Sequence, residues 1–299
     1  MNDTSEPSLQ EEVLFQIKSN LLRLRRLVQD WRNRPSRYAS GNRTLYPHLL
    51  AESRTPLWVE NTLSERSLQL GKAQNLRRAI RHLQHIEIPK HETFSFWKQL
   101  GRTTRRQGYV PGRQISEGCL VPAIGGGICQ LSNALYDVAL KIGAEIVERH
   151  PHSRIVPGSS AEQGRDATVY WNYIDLRFRP NIPILLHAEL TQDTLVLRVY
   201  GQEPLPVTPI SRSSLTIALK PRQTINVAEH SCQSCGRTSC FRHKVTLPST
   251  PYSNEHEMGQ TAYLLDEHWK EFEQYVQGKY RAQDTLHIPL DGVRWKRAG

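Results

Sequence analysis

Apolar residues recur at Leu14, Ile17, Leu21, Leu24, Val28 and Trp31, in alternating steps of three and four, and so predict one amphipathic helix over about residues 9–32. Lys18, Arg23, Arg25, Arg26 and Arg32 decorate it. The stripe reads as packing on the body of the protein, the other reading being an interaction arm for a partner or an anionic membrane. A second helix is predicted over about 67–84, with Leu68, Leu76, Ile80 and Leu83 inward and Arg77, Arg78 and Arg81 outward. Residues 34–63 between them are rich in Pro, Ser, Asn and Arg without periodicity, and read as an irregular connection.

Beyond Pro89 the glycines at 101, 108, 112 and 118 cut the chain into short extended pieces. A third helix follows, its inward positions being Ile128, Leu131, Leu135, Val138 and Ile142, and Gly143 ends it. Strand-like runs then occupy 144–150, 168–179, 184–190, 194–200 and 215–219, the pair at 184–190 and 194–200 forming a hairpin around Thr191-Gln192-Asp193. A last helix is predicted over 262–280. Strands that follow one another without intervening helices make the class α+β: N-terminal helices, a central glycine-turn helix packed on a mostly antiparallel sheet, and a Cys-rich C-terminal extension. The expected organisation is a helical region and linker at 1–58, a central domain at 59–205 and the extension at 206–299.

Composition narrows the function classes. At 299 residues and 38% hydrophobic, the chain is long enough to bury a sizeable core. Its net charge of +10 favours an anionic partner and says nothing about fold, with nucleic acid the less expected choice. The first thirty residues lack the basic start, apolar run and cleavage site of a secretory signal, and no apolar stretch approaches the ~18 to 20 residues that cross a bilayer. A cytoplasmic protein without a transmembrane segment is therefore expected. Five cysteines, three of them between 232 and 240, suit metal or catalytic use better than a disulfide framework.

The stretch Gly125-Gly126-Gly127-Ile128-Cys129-Gln130-Leu131-Ser132 places a cysteine in the first turn of the third helix. There, free amide groups and the positive end of the helix dipole favour a thiolate. Gly125, Gly126, Gly127 and Gln130 are candidate substrate-binding positions, since glycines admit close approach and turn amides toward a developing oxyanion. The base that a cysteine nucleophile needs is offered by Glu148-Arg149-His150-Pro151-His152-Ser153, as either His150 or His152. Asp166 is a candidate to orient the imidazole. A buried structural cysteine and a phosphate-binding turn are the other readings of the same stretch.

A second constellation lies at 230–243, His-Ser-Cys-Gln-Ser-Cys-Gly-Arg-Thr-Ser-Cys-Phe-Arg-His. Cys232, Cys235, Cys240 and His243 supply four ligands with the two-residue gaps that let paired side chains bite one ion, most simply tetrahedral zinc. An iron-sulfur cluster is the alternative, because three thiolates can hold one and leave an iron open for chemistry.

The runs HETFSFWKQLGRTTRRQGYVPG, AIGGGICQLSNALYDVAL, EIVERHPHS, GRDATVYWNYIDLRF and PILLHAEL resemble the VanW family over about residues 60–200. That resemblance implies an activity like that of L,D-transpeptidases, with Cys129 as nucleophile, a histidine of ERHPHS as its base, and a peptidoglycan-type stem peptide forming the acyl-enzyme. The chain departs from the exported members in showing no export signal, which leaves a peptidoglycan precursor or another peptide as the expected substrate of acyl transfer or hydrolysis. A non-enzymatic module that binds an anionic envelope precursor or nucleic acid, and an enzyme centred on the distal metal cluster, are the competing expectations.

Overall fold

The computed structural model describes residues 9–33, 35–58, 66–116, 119–152, 154–156, 158–205 and 223–224. In chain order the elements are α1 (Leu9–Asn33), β1 (His48–Pro56), α2 (Arg66–Ile80), β2 (Ile86–Ile88), β3 (Phe94–Ser95), α3 (Phe96–Leu100), β4 (Pro111–Ser116), β5 (Cys119–Ile124), α4 (Cys129–Lys141), β6 (Glu145–Glu148), β7 (Arg154–Ile155), β8 (Arg177–Arg179), β9 (Ile184–Leu190), β10 (Thr194–Gly201) and β11 (Gln223–Thr224). The expected strand at 215–219, the helix at 262–280 and the cysteine cluster at 230–243 lie outside the described residues.

An α+β architecture results, with almost wholly antiparallel pairing. Strands run β1-β10-β9-β2 in the largest sheet and β3-β8-β6 in a second, while β4 and β5 form a hairpin. Among the described residues only the short pair of β7 and β11 is parallel. The predicted hairpin is β9 and β10, in register from Leu195 opposite Leu190 to Gly201 opposite Ile184. Helix α4 lies on β1 and β10, while α2 lies on β4 and β9. Leu131, Leu135 and Val138 on α4 are completely buried, as are Leu195, Leu197 and Val199 on β10, so the central helix and the sheet share one core. Each such side chain contributes ~1.5–3 kcal/mol through removal from water.

Three expectations are corrected. Residues 34–63 hold the nine-residue strand β1, paired with β10 from His48 opposite Gly201 to Pro56 opposite Thr194. Its inward positions are the small Ala51 and Ser53, so it carries no hydrophobic alternation for a pattern search to find. On its outer face Glu52 meets Arg198 at 2.7 Å. The run at 168–179 forms strand only at β8, because Asn172, at φ 73°, turns the chain and Tyr170 bridges Ile174 instead of a neighbouring strand.

The third correction concerns α1. Its apolar stripe does not pack on the body: Leu14, Ile17, Leu21, Leu24, Val28 and Trp31 are all exposed. The helix docks through its opposite, charged side. Arg26 is buried, forms a bidentate pair with Glu148 and donates to the Tyr173 carbonyl at 3.0 Å, while Asp30 accepts from Arg177 at 2.5 Å.

Glu148 is the hub of that docking. Burial works to raise its pKa, but hydrogen bonds from His150 and Arg26, and from the Asp175 N–H, outweigh it and hold the carboxyl down to about 2. The folded pKa lies below the unfolded value near 4.5. Its contribution, on the order of 2–3 kcal/mol, is therefore complete above that value and disappears as the pH falls toward 2. Denaturant unfolding of Glu148→Gln should show a loss of this size at neutral pH, and the difference from wild type should shrink progressively below about pH 4.

Candidate active site

The three glycines are needed for packing. Gly125 and Gly127 adopt φ of 77° and 93°, a left-handed region that favours glycine. A Cβ at Gly126 would stand 2.1 Å from the Gly112 carbonyl oxygen of β4, and one at Gly127 would stand 2.1 Å from Cγ of Lys72 on α2. Asn75 fastens the turn to α2: its side-chain amide donates to the carbonyls of Gly126 at 2.9 Å and Val110 at 3.0 Å, and its oxygen accepts from the Val110 N–H at 2.9 Å. The turn thus delivers the first residue of α4, Cys129, at a fixed position.

The N–H groups of Gly125 and Gly126 are spent inside the protein, on Val110 and Ala123. Those of Gly127 and Cys129 make no hydrogen bond to a described residue, and Ile128, at the start of the helix, offers no side-chain cap. Two amides at the positive end of α4 are left to receive an anion. Gln130 is directed elsewhere: its amide donates to Thr55 Oγ1 at 2.9 Å and the Pro56 carbonyl at 2.8 Å, tying α4 to β1.

Beyond β6 the two histidines of the ERHPHS segment diverge. The alternation that would set them on one side ends with the strand at Glu148, and Pro151 stands between them. His150 is half exposed and contacts Glu148 at 3.3 Å. His152 turns the other way: its Nδ1 lies 2.9 Å from Asp166 Oδ2, which also accepts the His152 N–H at 2.7 Å. The His152 ring and the Cys129 thiol lie close enough for each to shift the titration of the other. Nδ1 faces Asp166, and Nε2 is the ring nitrogen on the opposite side. Cys129, His152 and Asp166 therefore come together in series, and His150 does not join them.

Asp166 is fully buried and its carboxylate is held from both sides. Opposite His152, Oδ1 accepts from Arg149 at 2.9 Å, and Arg149 also bonds the Asp166 carbonyl at 2.8 Å. The next residue is clamped to α4: Ser132 Oγ donates to the Ala167 carbonyl at 2.5 Å, and Asn133 accepts the Ala167 N–H at 2.8 Å. Ser132, Asn133 and Arg149 were not singled out from sequence. The only signal available was that polar residues follow Cys129 at helix positions three and four residues on, on the side facing the 166–169 segment.

Burial works to raise the Cys129 pKa, yet the hydrogen bond and positive charge of His152 outweigh it, and the thiol titrates below its ordinary value. For His152, burial lowers the pKa, while Asp166 and Cys129 together raise it to about 9. Each group thus shifts the other toward its charged form, thiolate and imidazolium. Sγ lies 3.8 Å from the Val169 carbonyl oxygen.

Cys232, Cys235, Cys240 and His243 lie outside the described residues. Among the described residues no three His, Cys, Asp or Glu side chains gather as metal ligands, and no helix is long and apolar enough to cross a membrane.

Residues 71–200 match the family described as VanW like protein. Two curated relatives resemble the chain. The uncharacterized protein YoaR of Bacillus subtilis (strain 168) is 31% identical over 175 residues, 56% of this chain and 57% of the relative. The vancomycin B-type resistance protein VanW of Enterococcus faecalis (strain ATCC 700802 / V583) is 35% identical over 158 residues, 51% of this chain and 56% of the relative. The chain thus spans a little over half the length of each. No solved structure matches it. The matched segment runs from α2 through the glycine turn, Cys129, His152 and Asp166 to β10, and over it the chain is similar to the VanW-like family.

Proposed function

We propose that the chain is a cysteine-nucleophile acyl-transfer enzyme, transpeptidase-like, acting on a peptidoglycan-type or similar peptide. The observation that carries this reading is the placement of His152 between the Cys129 thiol and the buried Asp166 carboxylate. A relative named for vancomycin resistance supports the choice of substrate class.

The Cys129 thiolate attacks the peptide carbonyl and its electron pair moves onto the oxygen, where the N–H groups of Gly127 and Cys129 receive the charge. Collapse of the intermediate breaks the C–N bond, and the His152 imidazolium donates its proton to the departing amine. A thioester remains on Cys129 and neutral His152 then accepts a proton from the incoming nucleophile. An amine completes transfer; water completes hydrolysis. Asp166 stays ionised throughout, fixing the tautomer and stabilising the imidazolium. A histidine held protonated up to about pH 9 suits the donor step.

The distal residues Cys232, Cys235, Cys240 and His243 we propose as a structural zinc site, from the chemistry and spacing of the donors.

Intact-mass analysis after incubation with a peptidoglycan stem peptide should show the wild-type protein gaining an acyl mass that maps to Cys129. Cys129→Ala should gain none, His152→Ala should acylate slower by a factor on the order of 10²–10⁴, and His150→Ala should acylate near the wild-type rate. Absence of any adduct, with the peptide instead bound reversibly, would make this a binding module. Elemental analysis of purified protein should find about one zinc per chain, lost in Cys232→Ser; colour and iron would instead identify an iron-sulfur cluster.

A further inference from the structure

Helix α1 turns its apolar stripe away from the protein. Nine of its side chains from Val13 to Trp31 are large, apolar and 44–74% exposed. The other exposed large apolar side chains among the described residues, at Leu45, Leu49, Ile115, Val147 and Tyr170, are scattered over the sequence. Isolated ones need no explanation, but a row along one helix marks a surface that meets something. The outward aim is built in. Rolling the helix to bury the stripe would break the bidentate pair of Arg26 with Glu148, its bond to the Tyr173 carbonyl and the pair of Asp30 with Arg177. Separating such partners is costly, so the body holds the charged side and presents the apolar one.

The charges that border the stripe say what meets it. Residues 18, 25 and 32 repeat at every seventh position along one border and are Lys18, Arg25 and Arg32. The other border, at the same spacing, reads Val13, Asn20 and Leu27. Beyond Glu11 and Glu12 in the first turn, α1 carries a single acid, Asp30, and Arg177 takes it. A second copy of α1 laid parallel sets the two borders against each other, and laid antiparallel it sets each border against itself. In neither arrangement does an acid meet the basic border. Val13 and Leu27 also widen the stripe beyond the two positions per heptad that a coiled-coil seam buries. An anionic lipid surface suits both features, since hydrocarbon takes a broad apolar face and phosphates take the basic border. Trp31, at 74% the most exposed of the nine, ends the stripe with an amphipathic ring fitted to headgroup depth. The net charge of +10 acts in the same sense.

We propose that α1 lies in the plane of an anionic membrane, its apolar face buried at the headgroup boundary, and holds the protein to that surface. The docking pair with Glu148 carries the attachment to the end of β6, just ahead of His152.

The full chain is incubated with vesicles of phosphatidylcholine, with and without about 30% phosphatidylglycerol, and sedimented. It should pellet with the anionic vesicles, about tenfold less with phosphatidylcholine alone, and progressively less as salt is added. Leu21→Asn and Leu24→Asn should each lower the partitioning about tenfold, and Arg25→Gln should lower it about fivefold on anionic vesicles only. Leu45→Asn, which alters an exposed apolar residue elsewhere, should leave it unchanged. Because the substituted side chains are exposed, all four variants should melt with the wild type. Tryptophan emission should shift to the blue when anionic vesicles are added, and Trp31→Phe should abolish that shift. A chain that stays in the supernatant with anionic vesicles, or that pellets equally well without Leu21 and Leu24, would overturn the proposal. So would a melting temperature lowered by Leu21→Asn, which would mean that the protein itself covers the stripe. A concentration-dependent dimer formed without lipid and abolished by the same substitutions would assign the stripe to a second copy instead.

Discussion

Asp166 is a carboxylate with no access to water, and the arrangement of the site depends on how its charge is met. Arg149 binds one oxygen and His152 the other, through both its ring and its backbone N–H. Removing either cation leaves a buried charge under-compensated, a cost of several kcal/mol, so the carboxylate organises both side chains around itself. Because Ser132 and Asn133 fix Ala167 to α4, the helix that begins with Cys129 also locates Asp166. One short segment thereby sets the nucleophile and, through Ala167, the group that aims its base.

The glycine turn supplies the complementary constraint. Packing against Gly112 and Lys72 forbids side chains at Gly126 and Gly127, and Asn75 spends its amide on the carbonyls of Gly126 in the turn and of Val110, just before β4. Chain entropy lost at the glycines is offset by this seating. Its product is a helix start without a side-chain cap, where amide groups and dipole act on whatever lies over Cys129.

Much of this was legible in the sequence because periodicity reports local geometry faithfully. The helices at α1, α2 and α4 and the hairpin of β9 and β10 follow from spacing alone. Strand β1 did not, since its buried positions are small and its stability comes from β10. The apolar stripe of α1 was visible, but which side it presents was not, because Arg26 and Asp30 find their partners more than a hundred residues away. At the site, Cys129, His152 and Asp166 were nameable from residue type. Choosing His152 over His150 needed the path of the chain past Pro151, which no alternation rule contains.

The central claim is that His152 holds Cys129 as a thiolate, and it is tested most directly by titrating the ultraviolet absorbance of the thiolate in wild-type protein against Cys129→Ser. A Cys129-dependent inflection below the ordinary thiol value near 9, moving upward in His152→Ala and unmoved in His150→Ala, is the predicted result. An inflection at or above that value, indifferent to His152, would contradict the account.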